Sequence, residues 1–167
     1  IFLDDREQAD RFREKLLNHC LRVSRAMIAD PTVDAKVEIV IVGGGATGVE
    51  LAAELYNAAA GLRHYGLEVF DESRLKVTLV EARKEVLGFL DHEITEAFQY
   101  HMRSTGMTLR LGEKVAKIEN LPEQTGENGS AVRVQATLES GKTLRAQTLL
   151  YAIGRQGTTA ALQLEKA

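Results

Sequence analysis

Cysteine occurs once in this chain, at position 20. An internal disulfide, a C-x-x-C redox pair and a cysteine-based zinc motif are all excluded. One thiol fits a reduced, cytoplasmic setting. Long apolar runs are also missing, and none approaches the ~20 residues needed to span a bilayer. Neither charge sign dominates. The net charge of −3 gives no electrostatic reason to expect nucleic acid or an anionic membrane as partner. The four histidines, His19, His64, His92 and His101, are scattered and show no metal-binding spacing. No serine sits in a nucleophile elbow. The acidic start, "IFLDDREQADRF", is unlike a secretory signal. Its first residue, Ile1, suggests a chain taken from something longer.

What is present is one domain's worth of alternating structure: 167 residues, without repeats or low-complexity tracts. Residues 1–35 read as a leading helix and linker. Ala9, Phe12, Leu16, Cys20, Val23 and Met27 form one apolar stripe over about Asp5–Ile28. Asp4 or Asp5 can cap that helix, and Pro31 marks its end. Cys20 on the stripe reads as a small buried hydrophobe.

Residues 36–167 read as the core. Val37–Val42 is a buried strand and Thr47–Ala60 a helix. Residues 76–81 ("KVTLVE") form a second buried strand. Residues 91–105 are a helix capped by Asp91 and stopped by Gly106. "MTLRL" and "KVAKIE" are short strands, and "NLPEQTGENGS" is an exposed loop. Residues 131–146 form a hairpin, and 147–154 a last buried strand. The order predicts an α/β, Rossmann-like three-layer domain, its parallel sheet carrying an inserted antiparallel β-meander.

Gly43, Gly45 and Gly48 make G-x-G-x-x-G between a strand and a helix, with Gly44 inside the pattern. In that setting Gly43 permits the tight turn and Gly45 lets a pyrophosphate approach the backbone. Gly48 lets helix and strand pack closely. The N–H groups near Ala46 and Thr47 would face the phosphates. Glu81 ends the next strand, where a carboxylate accepts both adenosine ribose hydroxyls and repels a 2′-phosphate. NAD(H) is therefore expected over NADP(H). Ala82 and Arg83 adjoin that site, and the 83–85 run is otherwise a solvated loop. Glu81 lies further from the glycines than the usual ~20 residues, because the 61–75 connection is long. The competing reading makes the glycines a plain strand–helix turn. Asp91, His92 and Glu93 read as helix-capping charges. No residue is assigned a catalytic role.

"GGGATGVELAAEL" with "VTLVEA" and the leading helix resembles type II NADH dehydrogenases over about residues 1–82. "LGFLDHEITEAFQYHMRSTGMTLRLGEKVAKIE" with "LESGKTLRAQTLLYAIGR" is similar to soluble pyridine nucleotide transhydrogenases over 83–167. Both are two-dinucleotide-binding-domain flavoproteins, in which an NAD(H) domain is inserted into an FAD domain. The resemblance implies a nicotinamide-end position for Glu50, although an acidic residue on the first turn of a helix, where Glu50 is expected, is favoured for its own reasons. It implies an adenine contact at Val115. It also implies that Ala152 to Gly154 hands the chain back to the FAD domain, although "RQGTT" replaces the family's proline–asparagine pair.

No second fingerprint is present, so FAD is expected only in a full-length parent, whose FAD domain would be this chain's partner. The chain then binds NAD(H) without turning over alone. The parent works in the cytoplasm or at the cytoplasmic face of the membrane. A homodimer through the face left by the FAD domain, a non-catalytic NAD(H) module or scaffold, and a chain recombined near 81–84 stay open.

Overall fold

Val37–Val42 (β1) is β-branched at five of its six positions and apolar on both faces, which suits a strand covered from two sides. Around it, the computed structural model describes residues 5–125 and 131–154. In chain order these form α1 (Arg6–Ala29), β1, α2 (Ala46–Leu62), β2 (Leu75–Glu81), α3 (His92–Ser104) and β3 (Thr108–Leu111), followed by β4 (Val115–Thr125), β5 (Ala131–Leu138), β6 (Thr143–Ala146) and β7 (Thr148–Tyr151). Two short 3₁₀ turns, Arg63–Tyr65 and Glu72–Arg74, occupy the long α2–β2 connection.

β3, β2, β1 and β7 form one parallel sheet in that order. The chain leaves β1 toward β2 on one side and later returns to β7 on the other. The C-terminal ends of β1 and β7 therefore open a crevice at the point where the strand order reverses. Val42 lies opposite Val80 in β2 and Tyr151 in β7, which fixes the level of that crevice.

Strand alternation sorts the core into two clusters. Val37, Ile39, Ile41, Val77, Leu79 and Leu150 face the helices, among Phe12 and Cys20 of α1, Ala52 and Leu55 of α2, and Met102 of α3. Val40, Val42, Val80 and Leu149 face a three-stranded antiparallel sheet, β4-β5-β6, through Val134, Ala136, Leu138 and Ala146. Helices, parallel sheet and meander make the three expected layers. Buried Gln147 stitches β7 to the start of β1: its Oε1 accepts the Glu38 N–H at 2.5 Å and its Nε2 donates to the Lys36 carbonyl at 3.1 Å. No helix among the described residues is long and apolar enough to cross a membrane.

Several local expectations change. Asp5 caps α1 by accepting the Gln8 N–H at 2.8 Å, whereas Asp4 lies outside the described residues. Ala9, first on the expected stripe, is exposed. Asp91 sits at the N-cap of α3, but its side chain makes no capping bond there; its carbonyl receives the Ile94 and Thr95 N–H groups. The loop expected from 120 is strand as far as Thr125, because β4 continues through Pro122, and residues 126–130 lie outside the described residues. β4 is an edge strand whose register against β5 shifts between Asn120 and Gln124, and such an irregular edge tolerates a residue without an N–H.

Candidate functional site

The turn after β1 is shaped by backbone contacts that leave no room for side chains. The Gly43 N–H donates to the Val80 carbonyl at 2.8 Å, and the Ala152 N–H to the Val42 carbonyl at 2.8 Å. Gly43 has φ +114, and a Cβ there would overlap the Ala152 carbonyl oxygen. A Cβ on Gly48 would overlap the Gly43 carbonyl oxygen, so the first turn of α2 packs directly on the loop.

Gly45 is different. It is the N-cap of α2, and a Cβ on it would meet nothing within 4 Å. Gly45 brings no side chain to cap this helix, and no acidic residue lies in its first turn. The first N–H groups of a helix have no intrahelical acceptor, and the dipole adds partial positive charge. This end of α2 is thus a place for an anion to approach backbone. Glu50, exposed and also bordering the space, is the fifth residue of α2 and lies beyond the first turn.

Glu81 ends β2 beside the loop. Its Oε2 accepts the Gly44 N–H at 2.6 Å and its Oε1 accepts the Arg83 N–H at 2.8 Å. Each oxygen keeps a further lone pair. The turn between β3 and β4 leans over the same strand end: Gly112 N–H donates to the Arg83 carbonyl at 2.7 Å, and Glu113 N–H to the Glu81 carbonyl at 3.1 Å. That turn is clamped to the β5–β6 hairpin by the Lys142–Glu113 pair at 2.6 Å and the Lys114–Glu139 pair at 3.0 Å. The Lys142 bond, followed by one from Ser140, holds the Glu113 carboxyl below its ordinary range.

These parts enclose a cavity of about 700 Å³, within the size range of cofactor sites. Gly43, Gly45, Ala46, Thr47, Glu50, Glu81, Ala82, Arg83, Val115, Ala152 and Gly154 border it, so most residues singled out from the sequence are brought together. Gly44 and Gly48 stand behind the wall rather than in it. Ile153, inside the Ala152–Gly154 segment, also borders the cavity, as do Val42, Val80, Glu113, Lys114 and Tyr151, which were not foreseen. Glu113 and Lys114 directly precede Val115 in "GEKV", the one sequence signal that could have found them. Arg83 borders the cavity, and Glu85 approaches Thr95 Oγ1 at 3.4 Å and His92 Nδ1 at 3.3 Å. The 83–85 run is therefore more engaged than a solvated loop.

Residues 2–167 match the pyridine nucleotide-disulphide oxidoreductase family. The chain belongs to that family. Among relatives, it is 34% identical over 175 residues to the type II NADH:quinone oxidoreductase of Haemophilus influenzae, covering 99% of this chain and 36% of that protein. It is 35% identical over 146 residues to the soluble pyridine nucleotide transhydrogenase of Mycobacterium tuberculosis, covering 86% of this chain and 26% of that protein. The first likeness spans nearly the whole chain and the second most of it.

Solved structures resemble it too. The HOCl-induced flavoprotein disulfide reductase RclA of Escherichia coli superposes with a TM-score of 0.57 at 29% identity, over 78% of this chain and 24% of that one. The NAD-dependent persulfide reductase of A. fulgidus shares the fold at a TM-score of 0.63 and 21% identity, over 100% of this chain and 23% of that one.

Proposed function

We propose that this chain is the NAD(H)-binding domain of an FAD-dependent oxidoreductase, presenting NADH for hydride transfer to a flavin held by another domain. The observation that carries the reading is the α2 N-terminus, open at Gly45, beside the Glu81 carboxylate on one cavity of about 700 Å³. An anionic pyrophosphate and a diol a few ångströms apart are what that pairing suits.

The pyrophosphate would rest on Gly43, Gly45 and the first turn at Ala46 and Thr47, with Gly44 and Gly48 supporting from behind. The adenosine ribose would bond to Glu81, next to Ala82 and Arg83. The adenine would lie along Val115. Glu50, Ala152 and Gly154 would then line the nicotinamide end. The bound nucleotide supplies the hydride; this chain's residues bind it, orient it and leave its reactive end toward the neighbouring domain.

The flavin half of the reading leans on what relatives are called, including a flavoprotein disulfide reductase and a quinone oxidoreductase. The parent works in the cytoplasm, or at the cytoplasmic face of the membrane where its acceptor is a quinone. The chain by itself holds NAD(H) without turning it over. Titration with NADH, followed by nucleotide fluorescence and by calorimetry, should give saturable one-to-one binding. Absence of saturable binding sinks the proposal. Flavin copurifying with this chain would contradict placing the FAD site elsewhere.

A further inference from the structure

Leu87 is the only non-glycine residue with positive φ among the described residues, at +51. It lies in the irregular segment after β2, its side chain is buried at 7% exposure, and it is absent from the cavity wall. A left-handed leucine is disfavoured by its Cβ, so something must hold it there. Its N–H donates to the Gly44 carbonyl at 2.7 Å, and its own carbonyl accepts the Leu90 N–H at 2.8 Å. Val86 beside it is fully buried and joins the same core.

The acceptor is informative. The Gly44 carbonyl belongs to the peptide whose nitrogen is that of Gly45. In a planar trans peptide the C=O and N–H point in opposite directions. Drawing the Gly44 carbonyl back onto Leu87 therefore turns the Gly45 N–H away from that segment, and Gly45 itself borders the cavity. The preceding peptide is fixed as well, because the Gly44 N–H is held by Glu81. Both peptides flanking Gly44 are thus oriented by residues after the midpoint of β2, not by the glycine loop itself.

We propose that Leu87 is a positioning residue for the anion site: its backbone N–H, held in the left-handed conformation, fixes the Gly44–Gly45 peptide so that the Gly45 N–H serves the bound phosphate. This rests on the NAD(H) reading above. The geometry separates this role from simple packing. Isoleucine has the same volume as leucine, but its β-branch resists positive φ. Glycine forfeits the packing but adopts positive φ freely, and asparagine tolerates it.

The test is NADH titration of the wild-type chain, Leu87→Ile, Leu87→Gly and Leu87→Asn, with urea denaturation of each and the Gly45 amide followed by ¹⁵N NMR. Leu87→Ile is expected to raise the NADH Kd about tenfold and to shift the Gly45 amide. Leu87→Gly and Leu87→Asn should stay within about threefold of wild type in affinity despite losing stability. Affinity that follows stability, with the glycine and asparagine variants binding worse than the isoleucine variant, overturns the proposal. So does a Leu87→Ile variant that binds like wild type. If Leu87→Gly does not fold, the comparison of Leu87→Asn with Leu87→Ile decides by the same order. A wild-type chain that fails to bind NADH would instead refute the NAD(H) reading itself.

Discussion

Replacing Glu81 by glutamine keeps the side chain's shape and removes its charge, and the structure says where the loss should fall. The carboxylate now receives two backbone N–H groups, from Gly44 at 2.6 Å and Arg83 at 2.8 Å. An amide has one acceptor oxygen and one donor nitrogen, so one of those N–H groups would face a donor. Hydrogen bonds to charged groups contribute about 1.5–3 kcal/mol. A loss of one such bond corresponds to a melting temperature lower by roughly 3–12 °C for a chain of this size.

Binding should suffer twice. The slackened Gly44 peptide weakens the pyrophosphate site, which NADH and NADPH share. The lost ribose bond weakens NADH alone, because a carboxylate at this position repels a 2′-phosphate. NADH affinity is therefore expected to fall about 10–100-fold, and the NADPH-to-NADH ratio of Kd values to drop about tenfold or more. Calorimetric titration of both nucleotides into wild type and Glu81→Gln, at one low ionic strength, measures this. Equal weakening of both nucleotides, with the ratio unchanged, would make Glu81 a brace for the glycine loop and remove it from the ribose.

Gly48→Ala would drive its Cβ into the backbone carbonyl of Gly43, which cannot rotate away. It should cost at least the ~1–3 kcal/mol typical of overpacking by urea denaturation and abolish NADH binding; a stable, binding variant would refute the close-contact reading. Burial pushes the Cys20 thiol up to about 12, whereas an unfolded thiol ionises near ~8.5. Above about pH 9 the unfolded state binds fewer protons than the native one, so this thiol makes stability fall as pH rises toward 12. A thiol reagent at pH 8 should leave the native chain unlabelled and label it once in guanidinium, and the alkaline decline in urea midpoint should be shallower in Cys20→Ala.

The sequence made some of this legible and concealed the rest for physical reasons. β1 and β2 announce themselves because strands buried on both faces are continuous apolar runs, and Val37–Val42 lies at the bounds expected from that pattern. Glu81 was visible because the end of such a run is a fixed place in the fold. Residues 86–90 were not, since "VLGFL" has no period. The burial of Val86 and Leu87 depends on joining the core that holds Met102 of α3 and on the bond to the Gly44 carbonyl, which are tertiary facts. The extension of β4 past Pro122 was hidden for the opposite reason. Proline argues for a loop locally, and only an edge position with slipped register makes it acceptable. The wall made by Glu113 and Lys114 depends on ion pairs with Lys142 and Glu139, remote in sequence and invisible to any motif.

The contact between Gly43 and Ala152 has a mechanical meaning. The Gly43 backbone lies so near the Ala152 carbonyl that not even a Cβ fits between them, and Ala152 is tied to Val42 by its N–H. Ala152 lies where the last strand leaves the sheet. Any displacement of Ala152 would therefore be felt at the Gly43 turn, where the positive φ and the close carbonyl leave no slack. The glycine turn and the point where β7 leaves the sheet are thus one mechanical unit.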